Sequence, residues 1–133
     1  MKQVKNNKVV ISGQTRSSIL KYGIQDGYTI VHCHYVSKHK YINGGWVNIF
    51  PTTYLFHEGI FLQLEHAENI PVSPAKHYFT QPGIRKSFTL YFPLLPETWD
   101  SFDLIEKTNT EKGFVHHNII RNNSGVYNIE IDY

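Results

Sequence analysis

Along this chain apolar residues come in short runs that alternate with polar ones. No window keeps the i, i+3, i+4, i+7 spacing of an amphipathic helix over three turns. The runs are rich in β-branched and aromatic residues and are bounded by Gly, Pro, Asn and Asp, which is the pattern of strands and turns. They predict strands at Lys8–Ser12, Ser18–Ile24, Tyr28–Val36, Gly45–Phe50, Ile60–His66, Ser87–Phe92, Ser101–Glu106, Phe114–Arg121 and Val126–Ile131. Thr53–Phe56 continues the fourth run beyond Pro51 or begins a bend. Turns are expected at Gln25-Asp26-Gly27, Asn43-Gly44-Gly45 and His57-Glu58-Gly59. The last two strands are expected to pair as a hairpin across Asn122-Asn123-Ser124-Gly125.

Between Ala67 and Lys86 the sequence carries Pro71, Pro74 and Pro82. Proline cannot donate to a ladder, so this stretch reads as a connection or an edge, with one short helical turn at Ser73–Lys76. The strands are short and spaced about 8–12 residues apart, as in an antiparallel sandwich or small barrel. The expected fold is all-β, an antiparallel immunoglobulin-like sandwich of about seven to nine strands, with residues 1–133 as one domain.

Composition supports this reading. Hydrophobic residues make up 41% and charged residues 18% of the 133, enough to build a core without disulfides. Nine Tyr and eight Phe favour strands. The formal net charge is +2 and the Lys and Arg are dispersed, which argues against a nucleic-acid platform. No apolar run approaches the roughly 18 residues of a membrane helix, so no membrane span is expected. The opening residues MKQVKNNKVVISG lack an apolar h-region and do not read as a signal peptide. A mature domain whose leader had been removed would read the same way.

The candidate chemistry starts at TIVHCHYV. Residues two apart on a strand share a face, so His32 and His34 lie together about 6.6 Å apart, and Cys33 points the other way. That spacing permits two imidazoles on one metal, but a third ligand would have to come from His39, His57, His66, His77, His116 or His117. The His-x-His strand is shared with cupins, whose motif continues with an acidic ligand; here YVSKHKYINGG supplies none. Two histidines on a partly exposed sheet face are the simpler reading, so no cofactor is expected. Cys33 reads as a small buried apolar residue.

His116 and His117 point to opposite faces. Asp100, Asp103 and Glu106 read as solvated carboxylates, with Glu106 entering a polar loop. No phosphate loop, GxSxG, HExxH or CxxC occurs. Tyr41, Trp46 and Trp99 lie in or beside loops, where aromatic rings can stack on sugars; Trp46 can equally anchor the core or its rim.

The stretches TIVHCHYV, GWVNIFPTTYLF, GIFLQLEHAENIPVSP, FTLYFPLLPETWDSFDLIE and FVHHNI together resemble a β-sandwich domain of secreted and periplasmic Bacteroidetes proteins. In those proteins it often precedes a thioredoxin-like domain. The most specific part is Phe88–Glu106, a strand that runs through Phe-Pro-x-x-Pro into a second strand. The resemblance implies a scaffold in the periplasm or outside the cell, with apolar or aromatic residues where His32 and His34 stand. No CxxC domain follows, and RNNSGVYNIEIDY runs past the pattern; a cytoplasmic protein remains compatible with the sequence. The function expected is a non-enzymatic accessory or interaction domain that binds a protein partner or a neighbouring domain. The alternatives are a small metal-dependent enzyme at His32 and His34, or a carbohydrate-binding module at Tyr41, Trp46 and Trp99.

Overall fold

The computed structural model of the chain describes residues 27–109 and 113–132. Among them are ten strands and no helix. They are β1 (Tyr28–Val36), β2 (Trp46–Val47), β3 (Thr53–His57), β4 (Ile60–Gln63), β5 (His66–Glu68), β6 (His77–Tyr78), β7 (Arg85–Pro93), β8 (Ser101–Glu106), β9 (Val115–Ile120) and β10 (Val126–Glu130). The readings at Lys8–Ser12 and Ser18–Ile24 lie outside the described residues.

Two four-stranded sheets carry the fold, ordered β10-β1-β7-β5 and β4-β3-β8-β9, and the two-residue strands β2 and β6 pair at one end. The architecture is all-β and sandwich-like. The alternation in the sequence explains which faces meet. Val31, Cys33 and Tyr35 of β1 and Phe88, Leu90 and Phe92 of β7 point inward; so do Leu55 of β3 and Phe102 and Leu104 of β8. Each large apolar side chain buried this way contributes roughly 1.5–3 kcal/mol relative to exposure.

The β3–β4 connection follows directly from its sequence. Glu58 and Gly59 have φ of 46° and 84° between the paired residues His57 and Ile60. Positive φ at both central residues marks the two-residue turn whose twist matches a hairpin.

Four expectations change. The first is the final hairpin. β9 pairs with β8 in one sheet, whereas β10 runs parallel to β1 in the other, so Asn122–Gly125 is an arch between sheets. The turn chemistry is real: the Asn122 side-chain carbonyl accepts from the N–H groups of Ser124 and Gly125, both at 3.0 Å. The turn is followed, however, by Tyr127, Ile129 and Ile131, which are buried in the core. Tyr127 meets Phe102 edge-on at 5.0 Å. Burying that apolar face against the open side of β1 wins over local hairpin pairing, and it adds a parallel pair to an otherwise antiparallel expectation.

Second, Ile60–His66 is not one strand. β4 ends at Gln63, and the chain crosses to the other sheet, where Glu65 N–H donates to Tyr91 O before β5 begins. Third, the Gly45–Phe50 strand shortens to Trp46–Val47, followed by a parallel bridge from Ile49 to Val72. Fourth, no helical turn forms at Ser73–Lys76; Ala75 N–H closes a tight turn on Val72 O at 3.1 Å.

Candidate ligand-binding cleft

β1 and β8 both end at the same end of the sandwich, where the connections after β1, β5 and β8 gather. Ser37 anchors this end. It is buried, its hydroxyl donates to Gln81 O at 2.9 Å, and the hydroxyl oxygen accepts from Ile84 N–H at 2.8 Å.

The Tyr41–Gly44 turn comes next, closed by Gly44 N–H on Tyr41 O at 2.9 Å. Gly44 has φ +84°, and a Cβ there would stand 2.4 Å from Gln81 O, so only glycine fits. At Gly45 an added Cβ would come within 3.0 Å of the Tyr41 ring. The bare backbone of Gly45 thus forms the seat on which Tyr41 lies. Trp46 then pairs with Tyr78 in the small β2–β6 ladder.

These segments enclose a cleft of about 750 Å³, within the usual range of small-molecule and cofactor sites. Tyr41 and Trp46 line it, each about half exposed, at 48% and 47%. Lys38, Lys40 and Lys76 line it as well. Lys76 Nζ stands 4.7 Å from the centroid of the Trp46 ring, and Lys40 Nζ stands 5.2 Å from that of Tyr41. Both distances are those of cation–π contacts. Lys38 pairs with Asp132, which raises the lysine's pKa and lowers that of the carboxylate. Burial pushes the Tyr35 hydroxyl up, with Lys38 opposing, so Tyr35 presents a neutral phenol at the cleft.

Glu106 sits at the base of the cleft, and its position corrects the expectation of a solvated loop carboxylate. It is 4% exposed and accepts from Phe50 N–H at 3.0 Å. The reason is register: β8 keeps its alternation to its last residue, so Glu106 follows Phe102 and Leu104 inward. Asn48, also buried, donates to Ala75 O at 2.9 Å and holds the Ser73–Lys76 wall.

The third aromatic candidate, Trp99, is not at this cleft. It is 2% exposed, packs against His57 with ring centroids 5.3 Å apart, and precedes β8 at the opposite end of the sandwich. Arg121 fixes it there by donating to Trp99 O at 2.9 Å and to Pro96 O at 2.6 Å. Its ring is core, with no face for a ligand.

His32 and His34 share the outer face of β1, as the alternation requires. His32 Nδ1 is 2.9 Å from Thr89 Oγ1. His34 Nδ1 is 2.8 Å from Ser87 Oγ, and its Nε2 is 3.2 Å from Asn128 Oδ1. These are cross-strand polar pairs. Among the described residues no three His, Cys, Asp or Glu side chains gather to hold a metal, so none of the six further histidines joins the pair.

The Ser87–His34–Asn128 run has the residue types of a nucleophile and a base, but β1 is paired on both edges, with β7 and β10. The N–H groups of β1 are engaged in these ladders, so β1 itself offers no oxyanion donor. Cys33 is fully buried, and burial, then the nearby Glu106 charge, pushes its thiol far up, away from thiolate chemistry.

A second exposed feature is the outer face of the β4-β3-β8-β9 sheet. Phe61, Val115 and Ile120 are exposed there at 60%, 49% and 64%. Tyr54 packs against Phe61 at 5.5 Å and against Phe56 at 6.5 Å.

No protein-family model matches the chain, and no curated protein or solved structure matches it.

Proposed function

We propose that this chain is a non-enzymatic recognition domain that holds a saccharide in the cleft at Tyr41 and Trp46. The observation that carries this reading is the convergence of two half-exposed aromatic rings on one preformed cleft at the loop end of a sandwich. Rings held this way stack on the apolar face of a pyranose at little entropic cost. The remaining groups suit binding rather than proton transfer: Lys40 and Lys76 lie over the rings, Lys38 pairs with Asp132, and Glu106 accepts from a backbone N–H. Affinity electrophoresis through a panel of soluble polysaccharides tests this. At least one should retard the wild type, and Tyr41→Ala and Trp46→Ala should each relieve the retardation. A panel that retards nothing would sink the proposal.

We read the sandwich as immunoglobulin-like from its strand order. One sheet runs β5-β7-β1 and the other β4-β3-β8-β9. Labelling these strands D, E, B and C′, C, F, G gives the sheet pairing of that fold, with β10 on the free side of β1 where strand A would lie. A periplasmic or extracellular location belongs to the same proposal, supported by the resemblance of the sequence to Bacteroidetes accessory domains.

The apolar outer face at Phe61, Val115 and Ile120 favours a second reading, in which the domain binds a protein partner or a neighbouring domain through a sheet face. The dye ANS tests it. The wild type should bind ANS, and Phe61→Asp with Ile120→Asp should lose that binding while keeping the fold; a wild type that does not bind ANS counts against the reading.

A further inference from the structure

We infer that the saccharide taken by the cleft is anionic, a pyranose chain that carries carboxylates. The inference rests on the recognition reading above and adds the ligand's charge to it.

Three lysines line the cleft, and among the described residues the two acidic groups near them, Glu106 and Asp132, are engaged elsewhere. Glu106 is buried at the base and accepts from Phe50 N–H at 3.0 Å, and Asp132 pairs with Lys38. That leaves Lys40 and Lys76, both exposed, and neither has a carboxylate within ion-pair distance among the described residues. Each instead places its ammonium over the face of an aromatic ring, 5.2 Å from Tyr41 and 4.7 Å from Trp46.

This arrangement discriminates between ligands. A sugar that stacks on either ring meets an ammonium at the same face. A neutral sugar must displace that cation and leaves it with water. A sugar carrying a carboxylate beside the stacked ring takes the ammonium as its counter-ion, and both contacts are made together. The two cations come from different segments, Lys40 from the connection after β1 and Lys76 from the residues before β6, and each lies over a different ring. The pattern thus repeats ring-plus-cation twice in one cleft, which gives a chain with more than one charged sugar two places to bind. A nucleic acid is a poorer fit, because two lysines on a protein of net charge +2 give too small a phosphate footprint.

The test is isothermal titration of the full chain with oligogalacturonate and with the same oligomer fully methyl-esterified, which keeps the rings and removes the charge. The free acid should bind at least tenfold more tightly, and the difference should shrink as salt is raised. Lys40→Met and Lys76→Met should each weaken the acid several-fold without weakening the ester. Arg85→Gln on the outer face of β7, on the side of the strand away from Tyr35, controls for general attraction of an acidic oligomer to a basic protein and should change nothing.

Equal affinity for acid and ester, or a loss in Arg85→Gln as large as in the cleft variants, would overturn the inference about charge. In the first case, if Trp46→Ala still abolished binding of both oligomers, the recognition reading would survive without it. Failure of both oligomers and of neutral oligosaccharides to bind would overturn the two together.

Discussion

Lys76 and Trp46 are thirty residues apart in sequence, yet the Lys76 ammonium stands 4.7 Å from the centre of the Trp46 indole. The β2–β6 ladder makes the contact by pairing Trp46 with Tyr78, two residues beyond Lys76. The two tryptophans therefore occupy opposite environments: Trp46 is half exposed beside a cation, and Trp99 is 2% exposed in the core. Iodide, an anion, should quench Trp46 emission strongly and Trp99 emission hardly at all. In Trp46→Phe the remaining fluorescence should be blue-shifted and nearly unquenchable, and in Lys76→Met iodide quenching should fall while that by neutral acrylamide persists.

Glu106 gives a stability prediction. Replacing it with Leu leaves the Phe50 N–H without its acceptor in a buried site, a loss of about 1–3 kcal/mol. Gln keeps a side-chain oxygen and should lose less. Urea denaturation of the three proteins measures the order, and a Leu variant as stable as wild type would contradict the assigned bond.

Gly44→Ala should be costly out of proportion to its size. The left-handed φ disfavours any side chain, and the new Cβ would clash with Gln81 O, so a loss of about 1–3 kcal/mol is expected. The substitution should also disturb Tyr41, whose carbonyl accepts from Gly44. Gly59→Ala is the comparison: its φ is also left-handed, but a Cβ there meets nothing within 4 Å, so its loss should be the smaller.

His32 makes stability fall on the acid side. Burial and then the neighbouring His34 hold its pKa below the ordinary 6.5, with Glu68 opposing. The unfolded chain therefore binds the proton more readily, and stability is lost as pH drops from the unfolded value near 6.5 toward the lower folded one. Denaturation midpoints between pH 7.5 and 5 should decline in wild type, and the decline should be shallower in His32→Asn, which removes the titrating group.

Much of the fold was legible in the sequence, because alternation is a local signal. Tyr28–Val36 and Ser101–Glu106 are predicted at their observed bounds, and the alternation within Ser87–Phe92 and Ser101–Glu106 sets Phe88, Leu90 and Phe92, and Phe102 and Leu104, on one face of each strand, the face that is buried. What local pattern cannot carry is the choice of partner. Asn122–Gly125 announces a turn in either case, and only the burial of Tyr127, Ile129 and Ile131 against the far sheet makes it an arch. The site divides in the same way. Tyr41 and Trp46 were legible as loop aromatics, and Trp99 carried the same signal while being core. Glu106 was discoverable, since the alternation of β8 runs through it. Lys76 was not, because nothing near it in sequence points to Trp46.

The most direct test of the cleft as a recognition site is a saccharide titration followed by tryptophan emission. Oligogalacturonate and a set of neutral oligosaccharides would be added to wild type and to Trp46→Phe. A saturable change in wild type that disappears in Trp46→Phe, whose only tryptophan is the buried Trp99, is the expected result. No change with any saccharide, or the same change in both proteins, would contradict the account.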